Sequence, residues 1–108
     1  MSLILTGTAP TAHPTGALRL ATCAALWQGY ADVFGDTGER DLAARFEAAA
    51  ARLIGEDEAR ALVAERRHWM VDLLGAYIDD QDEQSRELFE RLVTDCGPLA
   101  ADLPLIGR

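Results

Sequence analysis

The chain contains no lysine and no asparagine, only two serines, two histidines and two cysteines, and few aromatic side chains. Each shortage removes a class of function. All ten basic residues are arginine, and against 18 acidic residues they leave a net charge of −8. A protein that grips phosphate backbones needs a basic face, so direct nucleic-acid binding is not expected. No stretch approaches the ~20 apolar residues of a membrane span. The start, Met1 to Pro10, has no basic residue ahead of its short apolar run, so no secretory leader is expected. Neither Ser2 nor Ser85 lies in a G-x-S-x-G elbow, and Gly35-Asp-Thr-Gly38 is too short and too acidic for a phosphate loop. Cys23 and Cys96 form no C-x-x-C unit and lack metal-ligand spacing, which predicts two reduced thiols and a cytoplasmic protein. No residue is assigned a catalytic role, and the sequence favours a non-enzymatic function.

Helix punctuation is abundant. Asp36 and Asp80 each precede a Glu by three residues, the spacing of a capping box that satisfies the free N–H groups of a first turn. Gly55 and Gly97 occupy positions where a left-handed stop would end a helix, and Pro98 should not continue one. These signals divide the chain into helices over about 15–34, 39–54, 56–79 and 82–96. The predicted fold is therefore all-α, a compact bundle of about four helices in one domain. An extended N-terminal arm covers 1–14, the bundle 15–97, and an irregular tail 98–108. At this length roughly 65% of the unfolded surface is buried on folding, enough for a modest core.

The first helix carries too much apolar surface for one face. Leu20, Cys23, Ala24, Trp27, Ala31 and Phe34 form one stripe, while Leu18, Ala25, Leu26, Gly29 and Val33 form a second. A helix apolar nearly all round must be central or bury its far side on a partner. Three sibling helices do not easily surround a fourth, so the pattern predicts a homo-oligomer, with Leu18, Leu26, Gly29 and Val33 at the partner interface. On that expectation Leu26→Glu dissociates the oligomer and leaves helicity intact. Arg66 falls within the apolar stripe of the third helix and must snorkel, pair with a carboxylate or face another subunit.

One constellation has the residue types for metal chemistry. Glu65, His68 and Asp72 share a helical face at i, i+3 and i+7, and Glu65-Arg-Arg-His68 has the Glu-x-x-His spacing of carboxylate-bridged di-metal bundles. Such a centre needs two of these pairs and two further carboxylates; this chain has one pair, and His13 lies in the arm. The alternative for the trio is a solvated face. From Asp79 to Glu90 the acidic turn lacks the glycine of a calcium loop. Trp27, Tyr30, Trp69 and Tyr77 are expected in the core.

Three functions compete on these grounds. The favoured one is a small acidic interaction module, a subunit, adaptor or regulator, acting through protein contacts and self-association without a cofactor. A bundle holding a divalent metal on Glu65, His68 and Asp72 is the alternative. An acidic inhibitor of a basic or nucleic-acid-binding partner is the third, supported by net charge alone.

Overall fold

The computed structural model describes residues 16–103. The arm expected over 1–14 and the end of the tail, 104–108, lie outside them. Four helices follow one another: α1 (Ala17–Phe34), α2 (Glu39–Ile54), α3 (Glu56–Ile78) and α4 (Glu83–Leu99), then a single 3₁₀ turn at Ala100–Asp102. No strand occurs among the described residues, and no helix is long and apolar enough to cross a membrane.

Local chemistry explains the boundaries. Gly55 alone separates α2 from α3; its φ of 93° is accessible to glycine at little steric cost, and its N–H donates to the Ala51 carbonyl at 2.7 Å. Before α2, Asp36 Oδ1 accepts from the N–H groups of Gly38 and Arg40 at 3.0 and 3.1 Å, while Glu39 reaches back to the Thr37 N–H. These hydrogen bonds from backbone N–H groups hold both carboxyls below their ordinary values. The second cap is Asp82, not the expected Asp80: its carboxylate accepts from the Ser85 N–H at 3.0 Å and from the Ser85 hydroxyl. Gln81, at φ 54°, turns the chain between Asp80 and that cap.

The expected stop at Gly97-Pro98 is corrected. Helix α4 passes through both residues to Leu99. Proline removes one N–H and disfavours helical geometry in the residue before it, and that residue is glycine, without a Cβ to crowd the ring. The last turn then tightens, with the Leu103 N–H donating to Ala100 O at 3.2 Å.

Helix α1 is the centre of the molecule. Ala17, Ala21, Ala24, Ala25 and Leu26 are fully buried, and both α2 and α3 pack along it. The objection that siblings cannot surround it fails because alanine and glycine make it thin. A Cβ added at Gly29 would lie 2.9 Å from Leu74 Cδ1 and 3.0 Å from Met70 Cγ, so α3 crosses α1 closely at this glycine. Phe46 from α2 and Met70 from α3 complete the middle of the core, each fully buried. Burying side chains of this size contributes about 1.5–3 kcal/mol apiece.

Two anchors hold α4, whose only buried residues are Phe89 and Cys96. The Phe89 ring lies 5.6 Å from Tyr77, 5.9 Å from Phe34 and 6.2 Å from Tyr30, centroid to centroid. The second anchor corrects the expectation of reduced thiols. Cys23 and Cys96 form a disulfide with Cα atoms 5.6 Å apart, joining α1 to α4 across 73 positions of sequence. The pairing depends on tertiary packing, which spacing between two cysteines does not encode.

Arg66 resolves its conflict within the chain. Its Nε donates to the Thr22 hydroxyl at 3.1 Å, and its guanidinium lies 4.3 Å from the Trp69 ring centroid, a cation–π contact.

Closing so long a loop constrains the unfolded chain. Cys23→Ala/Cys96→Ala is expected to lower the unfolding free energy by about 4 kcal/mol in urea titration, against unchanged stability if the bond contributes nothing. Leu26→Glu should abolish cooperative unfolding by circular dichroism, because it forces a carboxylate into the core; a folded variant would contradict the placement of Leu26.

Candidate functional site

The outward side of α3, with the neighbouring edges of α1 and α2, forms a continuous groove. At one end a depression of about 620 Å³ lies over the small residues Ala44, Ala48 and Ala51 of α2. It adjoins a second along Ala64, His68 and Val71, sharing Gln28, Glu47, Arg60 and Arg67 with it. The third, about 270 Å³, is bounded by Gly29, Val33, Val71, Gly75 and Ile78 and is mainly apolar.

One carboxylate ties the walls together at mid-groove. Asp32 of α1 accepts from Arg40 of α2 through Oδ1 and from Arg67 of α3 through Oδ2, both at 2.8 Å. The Arg67 hydrogen bond, then that of Arg40, holds the Asp32 carboxyl below its ordinary value. Arg67 uses one terminal nitrogen for this bond, and a guanidinium carries five N–H donors.

Beyond this charged centre, hydrophobic side chains reach solvent. Val71 is 59% exposed, Val33 45% and Ile78 41%, all bordering the apolar part of the groove. Gly75 leaves a notch among them: a Cβ there would find nothing nearer than Asp79 Oδ2 at 4.0 Å. Its φ is not in the positive region, so neither backbone geometry nor packing among the described residues explains a glycine inside this helix. The contrast with Gly29, where the crossing helix occupies the space, is direct.

The four expected interface residues separate. Gly29 and Val33 border the groove, although Gly29 is itself buried against α3. Leu18 is 50% exposed but borders none of the three depressions. Leu26 is fully buried in the chain's own core, which corrects its assignment to a partner surface. The sequence pattern pointed to α1, whereas the apolar depression is bordered also by Val71, Gly75 and Ile78 of α3. In the sequence these are a valine, a glycine and an isoleucine on the flank of the core stripe of α3.

The expected metal residues do not assemble. Glu65, His68 and Asp72 are all exposed, and no group of three histidine, cysteine or acidic side chains placed to hold a metal ion occurs among the described residues. His68 instead borders the groove. His13 lies outside the described residues. Trp27 Nε1 and Arg45 Nε are buried without a hydrogen-bond partner among the described residues, but neither residue borders the groove.

Compared with protein-family models, curated proteins and solved structures, the chain matches none.

Because the Asp32 carboxyl titrates below its unfolded value, the stability it contributes is complete above the unfolded pKa of about 4 and is lost as pH falls through the folded value. Asp32→Asn is therefore expected to flatten the acid limb of a stability–pH curve. Its cost at pH 7 should be about 1 kcal/mol or less, because the carboxylate is partly exposed and its pairs are screened by water. An acid limb as steep as that of the wild type would contradict this role.

Proposed function

We propose that this chain is a small acidic interaction module that works through protein contacts, its own copies included. The observation that carries the proposal is the run of exposed apolar residues Val33, Val71 and Ile78 around the Gly75 notch. The other large exposed hydrophobics among the described residues, Leu18, Phe34 and Leu53, do not border that notch. An apolar depression with Arg67 and Asp79 at its rim has the chemistry by which amphipathic helices are recognised. The Asp32–Arg40–Arg67 cluster fixes the groove walls before a partner arrives, lowering the cost of ordering them on binding.

The metal-binding alternative gains no support from three exposed, dispersed side chains. The acidic-inhibitor alternative is weakened by arginines that interrupt the carboxylates, as Arg86 does between Glu83 and Glu90. A buried disulfide favours an oxidising compartment over the cytoplasm expected from cysteine spacing.

A photo-crosslinking amino acid at Val71, in cells that naturally make the protein, is expected to give an adduct of defined mass. The same group at Glu87, exposed on α4, should give none. Equal labelling from both positions, or none from either, would contradict the proposal.

A further inference from the structure

The occupant of the groove follows from the pattern along α3, granted that the groove is a docking surface. Arg67, Val71, Gly75 and Asp79 succeed one another at intervals of four residues and all border the apolar depression. Such a row is one of the i, i+4 ridges that a helix presents to a neighbour. The row has a cation at one end, an anion at the other, and a knob beside a notch between them. Asp79 has no ion-pair partner among the described residues. Its Oδ2 leans toward Gly75, at the edge of the notch.

A row of that kind is complementary to itself when reversed. The geometry points to a two-fold dimer in which α3 of one copy packs antiparallel on α3 of the other, with Val71 of each copy seated over the partner's Gly75 and Arg67 facing the partner's Asp79. The register is fixed, since Val71 and Gly75 stand symmetrically between Arg67 and Asp79, and the two-fold axis passes level with residue 73. Both Val71–Gly75 contacts and both Arg67–Asp79 pairs then form together, as an isologous interface requires. A parallel arrangement would set like charges against each other. The absence of a side chain at Gly75 admits the incoming valine, and Val33 and Ile78 flank the contact with apolar surface. In this arrangement the glycine, which no contact among the described residues explains, serves close approach between copies.

Native mass spectrometry and light scattering of untagged protein at about 100 µM, where a dimer of micromolar Kd is largely assembled, test this inference. The wild type is expected at twice the chain mass. Val71→Glu should be a monomer with an unchanged helical spectrum. Asp79→Arg, which places two cations together in each half of the interface, should raise the dimer Kd at least tenfold. Gly75→Leu separates association from folding: it replaces a poor helix former and should raise the thermal midpoint of dilute protein, while filling the notch and raising the Kd at least tenfold. A monomeric wild type would overturn the two-copy inference but leave the docking reading standing, with the Val71 crosslink then reporting an adduct of another mass. A dimer that Val71→Glu and Gly75→Leu leave intact would overturn the inference and place self-association on another surface.

Discussion

The close crossing of α1 and α3 at Gly29 is the constraint on which the rest of the molecule depends. A helix built from alanine, glycine and a few large side chains is thin enough for two neighbours to close on it. Hence the double apolar stripe that would demand a partner on a thicker helix is largely consumed inside the chain. The large core residues, Leu26, Phe46 and Met70, then meet in the space between the helices. Removing that closeness would separate α3 from α1 and dissolve the walls of the groove.

The same closeness determines what remains outside. Once Met70, Leu73 and Leu74 face the core, Val71, Gly75 and Ile78 are carried to the solvent-facing flank beside that stripe. Asp32, one turn beyond Gly29, comes within reach of arginines on both neighbouring helices. The fourth helix contributes little to this arrangement. It is secured by an aromatic contact and a disulfide, and no described residue covers the groove side of α3. Function is therefore proposed for the surface that the core leaves free, not for a catalytic cluster.

Much of the fold was legible from local chemistry. Apolar periodicity and the glycine at 55 located α2 and α3, because these signals act within a few residues. The Cys23–Cys96 bond was not legible, since it depends on where two helix surfaces meet after folding. Helix continuation through Pro98 depends on a single lost N–H near an end, a weaker barrier than proline presents mid-helix. Of the residues expected at an interface, Val33 is exposed beside the groove and Leu26 is buried in the core. Both lie on an apolar stripe, and which of them is covered depends on how the helices pack after folding. The notch at Gly75 depends on tertiary packing, in which no described helix fills the space beside it.

The central claim is that the exposed row of α3 is itself a contact surface between copies. An isotope-filtered NOE experiment on a mixed sample of labelled and unlabelled wild-type chains measures such contacts atom by atom. Intermolecular cross-peaks are expected from the Val71 methyl groups to the Gly75 α-protons. Intermolecular peaks confined to residues outside this row, or none in a concentrated sample, would contradict it.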